Sequence, residues 1–164
     1  MVHWIDPLAA ELRGVPAFEG YGLRRATAND EELLFSLHRD GLREYVDVTW
    51  GWEEDWQRQH FAGQYKASAN VVIVRSGTAA SDVGRVSLTR HWRKIFLRDI
   101  ELIASERNRG IGSSVIAAVL SLAHGSGRHV ELLVLKCNPA QRLYDRLGFH
   151  VIGDDGARLR MRAL

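Results

Sequence analysis

Two glycines, Gly110 and Gly112, follow two arginines, Arg107 and Arg109, where an apolar run gives way to a helical pattern. The first N–H groups of a helix have no partner inside the helix, and the helix dipole is positive at that end. Glycines let an anion approach the backbone closely, and the arginines add positive charge beside it. The pattern predicts a phosphate or pyrophosphate site; an ordinary tight turn with solvated arginines is the alternative.

Two common phosphate motifs do not fit these glycines. A P-loop carries a lysine directly after its second glycine, and no lysine follows here. A dinucleotide-binding fingerprint has a third small residue three positions after its second glycine, where this chain has Val115. A nucleotide-binding α/β domain is therefore disfavoured.

The hydrophobic periodicity predicts the elements that position this turn. Strands are expected at 21–27, 70–76, 83–92, 94–104, 129–137, 149–153 and 157–164, and helices at 27–46, 52–65, 110–124 and 138–148. A hairpin followed by a βαβ crossover implies an α/β domain, with one mixed sheet and helices on both faces. Residues 1–20 are expected to be a loosely structured lead-in that packs on a single domain at 21–164.

The composition limits the class of protein. The chain of 164 residues suits one domain, and 22 basic against 20 acidic residues give a net charge of +2, too small to indicate a nucleic-acid partner. Cys137 is the only cysteine, which excludes an internal disulfide, and the histidines show no metal-ligand spacing. No signal peptide and no apolar run of about 20 residues is present. We expect a cytoplasmic protein without metal or membrane contact, and a homodimer stays open.

A second motif makes the functional interpretation of the glycine turn more specific. The turn reads Arg107-x-x-Gly110-x-Gly112, and residues 138–149 read NPAQRLYDRLGF. These stretches, in this order and with one strand between them, resemble two segments of the GNAT superfamily of N-acetyltransferases, [QR]-x-x-G-x-[GA] and N-x-x-A-x-x-L-Y-x-x-x-G-F. The resemblance spans 22–163 in element order, although Asn138 and Tyr144 are one residue closer than in the family pattern. It implies a GNAT-like fold with a central, mostly antiparallel sheet.

The resemblance also implies acetyl-CoA as the acetyl donor. Its pyrophosphate would lie beside Arg107 on main-chain N–H groups of the turn, which are those of Asn108, Arg109, Gly110, Ile111, Gly112 and Ser113. The pantetheine arm would lie between strands 94–104 and 129–137, which splay apart at their ends. Main-chain groups of Ile100, Glu101 and Leu102 would contact the arm from one side and Asn138 from the other.

Acetyl transfer to a primary amine by direct attack in a ternary complex requires two proton transfers. The ammonium must lose a proton before attack, and the departing thiolate must be protonated or stabilised. Tyr144 stands where the family has its acid, and a core tyrosine is the alternative. Glu101 shares one strand face with Asp99 and is our candidate base, unless both are surface carboxylates paired with Arg98 or Arg93.

Aromatic and acidic residues are concentrated at 43–56. Tyr45, Trp50 and Trp52 are candidates for binding the acceptor, with Trp50 and Trp52 in the connection between two helices. Together with Glu44, Asp47, Glu53 and Glu54 they would suit a cationic amine; a helix–helix core is the alternative.

The sequence does not choose among acceptors. A small-molecule amine and a peptide amine are both compatible with the fold. A non-catalytic acyl-CoA-binding or regulatory module on the same fold is the alternative function.

Overall fold

Seven strands form one mixed sheet in the computed structural model, which describes residues 3–164. The strands are β1 (Tyr21–Arg25), β2 (Asn70–Arg75), β3 (Ser81–Arg90), β4 (Lys94–Leu102), β5 (His129–Leu135), β6 (His150–Asp154) and β7 (Arg158–Ala163). Their order across the sheet is β1-β2-β3-β4-β5-β7-β6, and every neighbouring pair is antiparallel except β4 and β5. The predicted mixed sheet with a βαβ crossover is confirmed.

Helices cover both faces of this sheet. They are α1 (Ile5–Leu12), α2 (Glu31–Trp50), α3 (Glu54–Gln64), α4 (Ile111–Gly125) and α5 (Gln141–Arg146). The crossover helix α4 connects β4 to β5 and buries Ile111, Val115, Ile116 and Val119 in the main core together with α1. α2 and α3 pack on the opposite face, where Leu34 and Leu37 form a smaller cluster with Val72.

The N-terminal segment is more ordered than its two prolines suggested. Residues Ile5–Leu12 form α1, which packs on α4, and Leu8 and Leu12 are buried in the main core. Burying a leucine side chain stabilises a fold by ~1.5–3 kcal/mol. The expectation of a loosely structured lead-in is therefore wrong for this segment.

The second helix is longer than predicted. α2 continues to Trp50 and ends where Gly51 adopts a positive φ of 82°. Glycine tolerates that conformation without a Cβ clash, so it forms the natural end of the helix. Trp50 is thus the last helical residue and does not lie in the connection.

Two irregularities of β4 shape the region beside it. A bulge at Arg98 shifts the register with β3, because Leu88 pairs with Leu97 but Ser87 pairs with Asp99. The pairing with β5 runs only from Lys94 to Leu97.

Each irregularity has a consequence for the site. The extra residue turns the side chains of Asp99 and Glu101 away from the main core, where strict alternation after Leu97 would have placed them. Beyond Leu97, main-chain groups of β4 that face β5 have no strand partner.

Within residues 3–164, no helix has the length and apolar character that crossing a membrane requires.

Candidate active site

A groove of about 1430 Å³ opens where β4 and β5 separate. It is bordered by α2, α3, the glycine turn and α5. Most residues predicted for the site line it, namely Tyr144, Glu101, Ile100, Leu102, Arg107, Asn108, Gly110, Gly112, Ser113, Asn138, Tyr45 and Trp50. Arg109, Ile111 and Trp52 do not line it.

The glycine turn leaves room for an anion at the start of α4. Gly110 precedes the helix with a φ of 82°, which an L side chain rarely adopts, and a Cβ there would lie 3.1 Å from Cβ of Ala17. At Gly112 a Cβ would meet only Leu102, at 4.0 Å. The open space at Gly112 lies beside the first free N–H groups of α4, so these residues fit a phosphate group.

The two arginines of the turn differ in their contacts. Arg107 donates from Nε to the carbonyl oxygen of Leu102 (2.9 Å) and from Nη2 to that of Asp40 (3.3 Å), so it joins the turn to β4 and α2. Arg109 forms an ion pair with Glu106 at 3.0 Å outside the groove. The Ile111 side chain is buried in the core, which leaves only its main chain available to a ligand.

A buried carboxylate that the sequence analysis missed fixes the segment before the turn. Glu106 is fully buried and accepts hydrogen bonds from the Tyr21 hydroxyl, Arg75 and Arg109. The Tyr21 hydrogen bond, assisted by the two arginines and opposed by burial, lowers the pKa of Glu106. No local sequence pattern could have revealed these contacts of Glu106, because Tyr21 and Arg75 lie on strands far away in the sequence.

A buried arginine joins the two carboxylates of β4. Arg85 on β3 is 2 % exposed and contacts Glu101 through Nε (2.5 Å) and Asp99 through Nη2 (3.2 Å). Glu101 also lies 3.2 Å from Nδ1 of His38 on α2. The atoms of His38, Asp99 and Glu101 have the spacing of a metal site, but the Arg85 guanidinium already supplies the positive charge between the carboxylates.

This network separates the basicities of the two carboxylates. Burial acts to raise the pKa of Glu101, but Arg85 and the hydrogen bond from His38 outweigh it, so the pKa lies below its usual range. For Asp99, burial and the neighbouring charge of Glu101 together outweigh Arg85 and raise the pKa. The Asp99 side chain is 23 % exposed and that of Glu101 only 5 %. Asp99 is therefore the stronger base and the more accessible one.

Glu101, the base expected from the sequence, lies in the groove, and its lowered pKa makes it the weaker base of the two carboxylates. The alternative, that both are surface carboxylates paired with Arg98 or Arg93, is wrong, because both contact Arg85 on the neighbouring strand.

Tyr144 on α5 lines the same groove. Its ring contacts Phe149 edge-to-face at 5.7 Å between ring centroids. Burial, followed by the negative charges of Asp99 and Glu101, raises the pKa of Tyr144 to about 12. The phenol therefore keeps its proton at neutral pH and can act as a hydrogen-bond donor.

Asn138 stands at the loop that leads from β5 into α5. Its side-chain Oδ1 accepts the N–H of Ala140 at 2.9 Å, which forms a tight turn two residues long. α5 itself begins only at Gln141. Asn138 lines the groove while it stabilises this turn, so both functions expected of it are compatible with its position.

The other end of the groove differs from the predicted acceptor wall. Trp52 donates from its indole Nε1 to Glu54 (2.8 Å) at the junction of α2 and α3, outside the groove. The four acidic residues expected beside the acceptor do not border the groove either, namely Glu44, Asp47, Glu53 and Glu54. Glu54 is instead paired with Arg39 and Arg58.

Two residues of α3 occupy that end of the groove. Trp56 stacks on His60 with ring centroids 4.7 Å apart and an interplanar angle of 10°. Their spacing of four residues on a predicted helix was the signal that could have identified them.

Comparison with known sequences identifies the family to which this fold belongs. The model of the acetyltransferase (GNAT) family matches residues 32–149, which is most of the chain. The chain belongs to the GNAT acetyltransferase family. No curated protein matches its sequence significantly.

Solved structures share this fold at low sequence identity. The PaiA N-acetyltransferase from Thermoplasma acidophilum, in complex with coenzyme A, superposes with a TM-score of 0.69 and 16 % identity over 87 % of this chain and 98 % of that one. A GNAT-family acetyltransferase from Listeria monocytogenes gives a TM-score of 0.62 and 14 % identity over 87 % and 93 % of the two chains.

Proposed function

We propose that this protein transfers the acetyl group of acetyl-CoA to a primary amine by direct attack in a ternary complex. The observation that carries the proposal is the single groove at the opening between β4 and β5. It contains the anion-accepting glycine turn, the phenol of Tyr144 and the basic carboxylate of Asp99. Membership of the GNAT family supports acetyl transfer in general.

The residues of the turn and of β4 fit coenzyme A. The space at Gly112 would accept the pyrophosphate against the N–H groups that begin α4. The positive φ of Gly110 directly before α4 would let the chain present these N–H groups to the ligand. Unpaired main-chain groups of β4 beyond Leu97 would bind the amides of the pantetheine arm. Bound acetyl-CoA would supply the acetyl group as a thioester.

Asp99 is the proposed proton acceptor in place of Glu101. An aliphatic ammonium has a pKa near ~10 and keeps its proton at neutral pH, so a base must remove it for attack. The raised pKa of Asp99 and its partly exposed side chain suit that step, directly or through a water molecule. Arg85 and Glu101 position Asp99 and set its basicity.

Tyr144 is the proposed donor to the leaving sulfur. Its hydroxyl stays protonated over the physiological pH range, because its pKa is about 12. A hydrogen bond from this group would stabilise the negative charge on a departing thiolate.

The experiment is an acceptor panel that follows release of free CoA, run with the wild type, Asp99→Asn and Tyr144→Phe. We expect transfer to at least one primary amine, and losses of ~10²-fold or more in kcat for each variant with similar affinity for acetyl-CoA. Binding of acetyl-CoA without turnover on any amine would contradict the proposal. That result would instead support a non-catalytic acyl-CoA-binding module.

A further inference from the structure

The groove carries an excess of positive charge. Among residues 3–164 only two carboxylates line it, those of Asp99 and Glu101, and both contact the buried Arg85. Five arginines line it, namely Arg98, Arg107, Arg142, Arg146 and Arg158. A second positive charge on an acceptor would meet repulsion here, in contrast to the acidic wall expected from the sequence.

These arginines divide between the two ends of the groove. Arg107 belongs to the glycine turn, and Arg142 and Arg146 belong to α5, so they flank the part assigned to acetyl-CoA. Arg158 lies towards the other end, over the Trp50 ring, but Asp155 pairs with it at 2.7 Å. Among the described residues, Arg98 is therefore the arginine without a carboxylate partner at the other end of the groove, where we place the acceptor.

Arg98 is held by a neutral partner, so no carboxylate of the described chain compensates its positive charge. It donates from Nη2 to the side-chain oxygen of Gln64 on α3 at 2.7 Å, a neutral partner. Within the described residues 3–164, no carboxylate lies within 4.0 Å of its guanidinium. A guanidinium held in place by one neutral hydrogen bond keeps further N–H donors for a carboxylate, which it binds in a bidentate manner.

The β4 bulge brings this cation next to the proposed base. Arg98 is the extra residue of the bulge, and Asp99 follows it directly. Both side chains line the groove, whereas regular alternation would have sent them to opposite faces of the sheet. A molecule that bears an amine and an acid group a few bonds apart could therefore contact both.

Aromatic surfaces lie around Arg98 in the same part of the groove. Trp56, stacked on His60, is 56 % exposed, and Phe96 lies two residues before Arg98 on β4. These planes offer apolar contact to the body of a ligand without adding a negative charge.

We infer that the acceptor is a small amine that also carries a carboxylate, with Arg98 binding the carboxylate while Asp99 receives the proton of the amine. This inference rests on the proposed function, since it names the class of amine that the same groove takes. Arg98 is then a specificity-determining residue and takes no part in the transfer of the acetyl group.

The test compares amines that differ only in the carboxylate: L-phenylalanine with 2-phenylethylamine, and 4-aminobutyrate with propylamine, with spermidine as a polycation. In the wild type we expect kcat/KM to be about tenfold or more higher for the carboxylated member of a pair, the effect of one charge-assisted hydrogen-bonded contact. Arg98→Gln keeps a donor for Gln64 but removes the charge. In this variant the ratio of the two kcat/KM values should fall towards one, because KM for the carboxylated amine rises. KM for acetyl-CoA should stay unchanged.

Arg160→Gln is the matched control, because Arg160 is an exposed β7 arginine outside the groove. It should keep the wild-type ratio. A wild-type preference for spermidine or for the amines without a carboxylate overturns the inference but leaves the acetyltransferase function standing. A ratio that survives in Arg98→Gln also overturns it. Failure to acetylate any amine, with acetyl-CoA bound, overturns the inference and the proposed function together.

Discussion

Replacing Gly112 by aspartate should strengthen the fold and abolish binding of acetyl-CoA. A Cβ at this position would contact only Leu102 at 4.0 Å, so the substitution fits sterically. Gly112 lies in the first turn of α4, where glycine is a poor helix former and an acidic side chain interacts favourably with the helix dipole. We expect the free energy of unfolding to rise by ~0.5–1 kcal/mol.

The same carboxylate would face the proposed pyrophosphate. Two like unit charges about 4 Å apart repel by roughly 4 kcal/mol near a protein surface, which corresponds to about a thousandfold in Kd. The predicted changes in stability and affinity therefore have opposite signs, which a loss of folding cannot imitate.

Two measurements check this prediction: urea unfolding without ligand, and calorimetric titration with acetyl-CoA. Gly112→Ala is the control, since it adds the Cβ without the charge and should change Kd by less than about tenfold. If Gly112→Asp unfolds at the same or a higher urea concentration than the wild type and binds acetyl-CoA as tightly as Gly112→Ala does, the anion site at this turn is refuted.

Two further predictions concern the groove, and a third concerns a buried carboxylate outside it. Glu101→Gln removes the like charge that raises the pKa of Asp99, so the acidic limb of the kcat/KM profile should move to lower pH with activity retained; complete loss of activity would make Glu101 the base. Tyr144→Phe should keep acetyl-CoA affinity and lower kcat at every pH from 6 to 9, because its phenol does not titrate below a pKa of about 12; a loss that appears only at the alkaline end would contradict this. Buried Glu131, paired with Lys94 and Arg162, has a pKa lowered from 4.5 to about 2 against burial. Its contribution of at most about 3 kcal/mol is present above pH 4.5 and lost as the pH falls towards 2, so urea unfolding of the wild type and Glu131→Gln should converge there.

The sequence predicted the features that depend on short stretches of chain. Alternating and helical periodicities placed the strands and α4, and the glycine spacing placed the turn between β4 and α4. The early helix α1 was missed because Pro7 and Pro16 suggested an irregular segment. Pro7 lies in the first turn of α1, where its missing N–H would have had no partner in the helix anyway.

The site was harder to predict where it depends on register. Asp99 and Glu101 were expected on one face, which is correct, but the bulge at Arg98 decides which face that is. The pairing of Arg85 with Glu101 follows only from the β3–β4 register, which a single sequence does not reveal. Without Arg85, the two carboxylates could not be ranked as bases.

The position of β7 has a consequence for truncated chains. β7 follows β6 along the chain but lies between β5 and β6 in the sheet. A chain released before Arg158 lacks β7 and leaves the β5 edge from Val130 to Leu135 without its partner. Unpaired strand edges favour association with other chains, so chains truncated before Arg158 should aggregate more readily than the full chain.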